Sequence, residues 1–276
     1  MQDGMVTIPS FELANGLPIP VLGLGTYPMD NDQVKVAVTE AQQVGYHLFD
    51  TSSSYGNERG IGRALSRGSF VTTKISNTAQ REGKVATSLL KSMVKLRRRK
   101  VDLVLLHWPY PGKFVESWRV LESFYKRGLC RAIGVANFHE HHLRELLDSA
   151  KIGPMVNQVE MHPLLQQRAL QDFCRAHSIQ MEAYTPFARM DARLINNEVL
   201  MGIAEKHEKK VTQVILRWLF QRDVVAIPKT QSKDRMIDNA SIFDFELTSG
   251  DMEAIAALDS GVRFRFDPDN CDFDRL

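Results

Sequence analysis

Cysteine is scarce in this chain and poorly placed for bridging. Its three cysteines, Cys130, Cys174 and Cys271, lie far apart with no CxxC pair, and the odd count does not suit a disulfide framework. A reducing compartment is the expected setting. Long apolar runs are missing too: nothing approaches the roughly 20 residues that a membrane-spanning helix needs, and Met1 to Ser10 carries no charged segment followed by an apolar stretch. Both absences point to a cytoplasmic protein with no membrane partner. Net charge is nearly absent, since 35 basic and 33 acidic side chains leave +2, too little for a global field that would draw the protein to nucleic acid or an anionic surface. The one dense basic run, Arg97 to Lys100, falls where a helical pattern ends before an apolar strand. Cations offsetting a helix C-terminus explain it better than nucleic-acid contact. Low-complexity segments, short solenoid repeats and splitting linkers are also absent, so a single domain over 1–276 is expected.

What is present is a globular balance, 43% hydrophobic and 25% charged residues, in a chain of 276, close to the roughly 250 usual for a β/α barrel. Eight short apolar, β-branched-rich runs recur along it, beginning near Val21 (VLGLGTY), Tyr46 (YHLFD), Ser69 (SFVTTK), Val101 (VDLVLLHW), Cys130 (CRAIGVAN), Pro154 (PMVNQVEM), Ile179 (IQMEAYTP) and Val224 (VVAIPKT). Continuous apolar runs mark parallel strands covered on their faces. Between them lie helical periodicities such as Val34, Ala37, Val38, Ala41 and Leu143, Leu146, Leu147. The pattern predicts an α/β fold, a (β/α)8 TIM barrel. Asn15-Gly16 predicts an N-terminal β-hairpin plugging the barrel bottom. The long gap before the last run predicts a loop over the site end near residues 187–200, and the aperiodic tail 261–276 is expected to pack over the mouth.

Barrel active sites form at the C-terminal ends of the strands. The second run ends at Asp50, the third at Lys74 and the fourth at His107, and Tyr55 follows five residues after Asp50. A phenol is a poor acid at neutral pH until a nearby cation stabilises its phenolate, and Lys74 is placed to do so while Asp50 keeps Lys74 charged. His107 could hydrogen-bond a carbonyl oxygen held against Tyr55. Singly, Asp50 could be a turn or capping residue, Lys74 a solvated strand end and His107 a satisfied core histidine. Four such coincidences at one rim are a poor explanation, and together the residues polarise a carbonyl.

The segments GYHLFDTSSSYGNE (45–58), TTKIS, LLHWP, IGVANF, NQVEMHP, AYTPF and IPKTQSKDRMIDN, in this order and over nearly the whole chain, resemble those of aldo-keto reductases, particularly the bacterial-type diketogluconate and methylglyoxal reductases. The resemblance implies NADPH-dependent reduction of aldehydes and ketones to alcohols, with Asp50, Tyr55, Lys74 and His107 as the catalytic tetrad and Tyr55 as general acid. It implies a cofactor site from Gly25, Thr26, Asp50, Asn137, Gln158, Tyr184, Thr185, Pro186, Phe187, Lys229, Thr230, Arg235 and Asn239. Asn137 and Gln158 would hold the carboxamide, Tyr184 would stack on the nicotinamide, and Lys229, Thr230, Arg235 and Asn239 would surround the adenosine phosphate. Two cations there favour NADPH over NADH. Tyr27, Trp108 and His107 would line the pocket for a small carbonyl substrate, with Arg263 or Arg265 of the tail attracting a carboxylate or hydroxyl-rich compound. The short stretch from Pro109 to Trp118 suggests an open pocket. The family default is a monomer.

Three positions depart from the family pattern: Ala136 stands where Ser is usual, Thr230 replaces Ser, and Ile75-Ser76 follow Lys74 where Trp is common. Ala136 lends some weight to the alternative, a cofactor-binding regulatory or redox-sensing barrel with little turnover. Other chemistries are excluded more firmly. Gly60-Ile61-Gly62 lacks the third glycine of a dinucleotide fingerprint, and the serines at 52–54 form no GxSxG elbow. A Schiff base at Lys74 is disfavoured by the neighbouring Asp50. His139, His141 and His142 lack the i, i+4 spacing of a helical metal site, so no metal is expected and an exposed helix start is the simpler reading.

Overall fold

The computed structural model describes residues 6–276. All eight expected runs form strands, and they pair in parallel and in chain order. After the hairpin strands β1 (Ser10–Glu12) and β2 (Pro18–Pro20) come β3 (Gly23–Gly25), β4 (Leu48–Asp50), β5 (Phe70–Ile75), β6 (Val101–Leu106), β7 (Cys130–Ala136), β8 (Val156–Glu160), β9 (Gln180–Tyr184) and β10 (Val225–Ala226). The first and last of the eight meet through a parallel bridge between Leu22 and Ala226, reinforced by Ala226 N donating to Val21 O at 3.0 Å and Gly25 N to Pro228 O at 3.1 Å. Closure depends on Gly25, because a Cβ there would lie 2.7 Å from the carbonyl oxygen of Ile227.

The helices pack outside the barrel with the periodicity read from the sequence. In Asn31–Val44 the buried side chains are Val34, Ala37, Val38, Ala41 and Val44. That helix starts at a capping box in which Asp30 accepts from the Asp32 and Gln33 amides, and it stops where Gly45 turns to a φ of 118°. The Gly60-Gly62 stretch lies inside the helix Glu58–Ala64 rather than in a strand-to-helix turn, in keeping with its exclusion as a dinucleotide loop.

The hairpin turns at Asn15-Gly16, with Gly16 at a φ of +79°. Its Leu13, Leu17 and Ile19 are buried in one cluster with Leu48, Phe70, Leu103 and Val225 from the barrel, which seals the end where the strands begin. At the other end, residues 187–200 include a 3-10 turn at Ala188–Met190 and a short helix at Ala192–Ile195. The tail packs across the same end: Asn77 Nδ2 donates to Phe273 O at 2.9 Å, and Asp274 accepts from Arg81 and from the Tyr110 hydroxyl. The Arg193 guanidinium lies 4.9 Å from the Phe264 ring centre, joining the 187–200 segment to the tail. Among the described residues no helix is long and apolar enough to cross a membrane.

Candidate active site

The open end of the barrel collects the polar residues that its strand runs deliver. Asp50 closes β4, Lys74 lies one residue before the end of β5, and His107 directly follows β6. The loop after β4 is sewn to β5, since Thr51 N donates to Thr72 O at 2.9 Å and Ser53 Oγ to Lys74 O at 2.9 Å. Asn57, which the sequence did not single out, accepts from Thr51 Oγ1 at 2.6 Å and donates to the carbonyls of Thr26 and Met29. Thr26 Oγ1 in turn donates to Asp50 O at 2.8 Å. This mesh fixes the loop that carries Tyr55.

Lys74 is wholly buried, and its ammonium donates to Asp50 Oδ1 at 2.5 Å and to Thr51 O at 3.0 Å. Burial, the largest influence, works against its charge, but Asp50, with smaller help from Tyr55 and Glu182, more than offsets it and the Lys74 pKa is raised, so it stays an ammonium. It lies 5.2 Å from the centre of the Tyr55 ring. Desolvation pushes the Tyr55 pKa up, Lys74 pulls it down and Asp50 opposes Lys74, with a net rise. The phenol pKa therefore lies above its ordinary value, not below it as the nearby cation alone would predict. The neighbouring cation does act in that direction, but the cost of a phenolate in this desolvated position is larger.

His107 faces Tyr55 edge-on with ring centres 5.8 Å apart. Desolvation first, then Lys74 and Arg265, hold its pKa well below the usual value, so the ring is neutral. Ser52 Oγ is 3.3 Å from its Nδ1. With the serine hydroxyl donating there, Nε2 carries the proton and is a hydrogen-bond donor. A buried ammonium, a tyrosine and a neutral imidazole thus meet at one rim.

The residues assigned to a cofactor fall along the same end. Asn137 follows β7 in a left-handed conformation at a φ of 64°, donates from Nδ2 to His107 O at 3.0 Å, and accepts at Oδ1 from the Tyr184 hydroxyl at 2.6 Å. Gln158 lies on β8, opposite Ala136 in the strand register. Its Nε2 donates to Asp50 Oδ2 at 2.8 Å and to Glu182 Oε1. Tyr184 closes β9, and Thr185, Pro186 and Phe187 lead into the 3-10 turn, Thr185 with a φ of 53°. Lys229 is exposed and Thr230 buried beyond β10. Arg235 is exposed and Asn239 buried on the helix Lys233–Ala240, capped by Ser232. Neither Lys229 nor Arg235 has an ion pair or side-chain hydrogen bond among the described residues. The structure gives Gly25 a packing role, the barrel seam described above.

At the mouth, Tyr27 is exposed and its ring centre lies 5.0 Å from that of Tyr55. Trp108 is more enclosed than an open pocket implies. It is buried, and it packs edge-on against Phe273 of the tail at 6.5 Å. The short 109–118 stretch leaves this flank uncovered, and the tail covers it instead.

A fully buried carboxylate, Glu160 at the end of β8, anchors the tail. Its Oε1 accepts from Phe264 N at 2.7 Å and its Oε2 from Arg265 N at 3.0 Å, with His162 Nε2 at 3.1 Å from Oε1. The two tail arginines then part company. Arg263 donates to His139 Nε2 at 2.8 Å, whereas the Arg265 guanidinium sits 6.0 Å from the Tyr27 ring centre with no acceptor among the described residues. Asp269 contacts His139 Nδ1 at 2.7 Å and lies near His141 and His142, a convergence that sequence spacing did not reveal. With both His139 nitrogens engaged and His142 Nδ1 accepting the His139 amide at 3.1 Å, this cluster reads as a hydrogen-bonded clamp on the tail. Sequence reasoning also missed Glu160 and Glu182, although a charged residue inside an otherwise apolar strand run was the available signal.

The chain is similar to known proteins over most of its length. The sequence model described as the Aldo/keto reductase family matches residues 21–260. Glyoxal reductase of Bacillus subtilis (strain 168) is 44% identical over 265 residues, covering 94% of this chain and 95% of that protein. Methylglyoxal reductase DkgA of Escherichia coli (strain K12) is 38% identical over 266 residues, covering 94% of this chain and 96% of its own length. Among solved structures, a mutant of Gox0644 in complex with NADPH superposes with a TM-score of 0.93 at 35% identity, covering 96% of this chain and 99% of that one.

Proposed function

The chain belongs to the aldo/keto reductase family, and from that premise we propose that it reduces small aldehydes and ketones to alcohols with NADPH, Tyr55 serving as the general acid. The observation that carries the reading is the placement of Lys74, 2.5 Å from Asp50 Oδ1 and 5.2 Å from the Tyr55 ring centre, with the His107 ring edge-on to Tyr55 at 5.8 Å. A carbonyl oxygen seated between Tyr55 and His107 meets two donors, the phenol and the imidazole N–H. Both are neutral, and neither competes as an anion for the substrate.

When bound, a reduced nicotinamide supplies the hydride that adds to the carbonyl carbon. As negative charge develops on the carbonyl oxygen, Tyr55 gives up its hydroxyl proton to it, and the product is the alcohol. The resulting phenolate is stabilised by the Lys74 ammonium, which Asp50 keeps protonated and aimed. The net elevation of the Tyr55 pKa keeps the proton in place until the oxygen becomes basic enough to take it.

The cofactor residues fit a phosphorylated dinucleotide. Lys229 and Arg235 are cations without side-chain partners among the described residues, beside the first turn of a helix, where phosphate is favoured by both the N–H groups and the charge. Gln158 commits both amide hydrogens to carboxylates and leaves its Oε1 for a carboxamide N–H. The Arg265 guanidinium near Tyr27 favours substrates with a second oxygen close to the carbonyl, such as dicarbonyls and hydroxyaldehydes.

The deciding experiment is NADPH consumption with a panel of small aldehydes, dicarbonyls and keto-sugars, run beside Tyr55→Phe. Turnover should drop on the order of 10²–10⁴-fold in the variant, the usual scale of a general acid, while NADPH affinity stays within a few-fold. Equal turnover in parent and variant would remove Tyr55 from the mechanism. Tight NADPH binding with no turnover on any compound would transfer the chain to a regulatory role.

A further inference from the structure

Neither the tetrad nor the phosphate site uses the buried acid in the middle of β9. Glu182 on β9 is wholly buried beside Gln158, its register partner on β8. One amide group bridges two carboxylates: Gln158 Nε2 gives one hydrogen to Glu182 Oε1 and the other to Asp50 Oδ2 at 2.8 Å. The NH2 end of the amide must face the Asp50 carboxylate, because its oxygen would be repelled by that anion, and its second hydrogen then needs the Glu182 oxygen as acceptor. Gln158 Oε1 is thereby turned away from the pair, with no partner among the described residues. Glu182 Oε2 is buried and also has none.

Charge balance sharpens the point. The single ammonium at this level, Lys74, is already matched by Asp50 at 2.5 Å. The groups around Glu182 are Asp50 from β4, Lys74 from β5 and Gln158 from β8, while its backbone partner on β10, Val225, brings no charge. A second carboxylate anion here would be uncompensated. Burial and then Asp50 push the Glu182 pKa up to about 8, with Gln158 and Lys74 offsetting only part of the rise.

We propose that Glu182 is a positioning residue, held as a neutral acid, that pins the Gln158 amide so that Oε1 is presented as an acceptor to the N–H2 of the nicotinamide carboxamide. The inference rests on the NADPH reading above. With Glu182 neutral, Gln158 has one orientation and the charge beneath the tetrad sums to zero. Without Glu182, one amide hydrogen loses its acceptor and a single bond to Asp50 holds the group, so Oε1 is no longer fixed toward the carboxamide N–H2.

Two measurements test this. The first is fluorescence titration with NADPH and with its 3-acetylpyridine analogue, in which a methyl group replaces the carboxamide amino group. The parent should favour NADPH by about 2–10-fold, the scale of one hydrogen bond. Glu182→Leu should lose most of that ratio, and Glu182→Gln, which keeps an acceptor toward Gln158, should restore it. An unchanged ratio in Glu182→Leu would overturn the positioning role. The second is thermal unfolding of the unliganded parent and of Glu182→Gln from pH 5 to 9. A carboxyl raised in the folded state and ordinary in the unfolded state holds its proton only when folded between those two values, so the parent loses stability as pH rises toward about 8. The melting-temperature advantage of Glu182→Gln should widen up to that pH and then level off. A gap independent of pH would overturn the neutral acid, even if Glu182→Leu failed to fold. A parent that binds the analogue as tightly as NADPH would overturn the carboxamide contact alone. A parent that binds neither compound would instead overturn the NADPH reading, and the positioning role with it.

Discussion

Lys74 Nζ lies 2.5 Å from Asp50 Oδ1, both groups out of contact with water. That contact keeps a cation in a place where burial alone would discharge it, and the cation in turn opposes the rise that burial imposes on the Tyr55 phenol. The pair stands between two consumers of its charge, Tyr55 on one side and the Gln158 amide on the other.

Asp50→Asn should therefore fail in two separable ways. It leaves a buried ammonium without its counter-ion, and breaking a buried pair costs about 3–5 kcal/mol, which a urea titration would read as a lower midpoint with an unchanged slope. It also lowers the Lys74 pKa, so turnover should fall on the order of 10²-fold and its optimum should move to lower pH, where Lys74 is still protonated. A pH–rate profile that kept its shape would argue against the charge link.

The phosphate end should respond to charge and not to chemistry. Lys229→Ala combined with Arg235→Ala should weaken NADPH by on the order of 10²–10⁴-fold, since each of two charged hydrogen bonds contributes roughly 1.5–3 kcal/mol, and should leave NADH almost untouched. Adding salt should erode the parent's NADPH preference and barely affect the double variant. An unchanged ratio of the two cofactors would place the 2′-phosphate elsewhere.

Glu160 should behave as the latch of the tail. Glu160→Leu removes the acceptor for the Phe264 and Arg265 amides, each of which then lacks a partner at a cost of about 1–3 kcal/mol, so the segment beyond residue 260 should detach before the barrel melts. Limited proteolysis should cut the variant within the tail at protease levels that spare the parent. With Arg265 released from its station near Tyr27, KM for dicarbonyl substrates should rise by more than KM for simple aldehydes. A variant as protease-resistant as the parent would show that Asp269 and Asp274 suffice to hold the tail.

Period and punctuation alone carried the eight strands, their order, the hairpin at Asn15-Gly16 and the outer helices, because a buried parallel strand must be apolar throughout and a covering helix must be apolar on one face. Strand ends also placed Asp50, Lys74 and His107 at one rim, since a closed barrel brings every strand's C-terminus to the same side. What the sequence by itself could not determine was any contact between distant side chains that are chemically ambiguous alone. The glutamates at 160 and 182 look alike inside their strands, yet one ends up receiving two tail amides and the other sharing an amide with Asp50. Arg263 and Arg265 are two residues apart, and only the tail's path decides that one is spent on His139 while the other, with no acceptor among the described residues, lies beside Tyr27. The direction of the Tyr55 shift was decided in the same way: the sequence supplied the cation, but the balance between that cation and lost solvation depends on how much protein surrounds the ring, a property of the packed barrel and not of any segment of the chain.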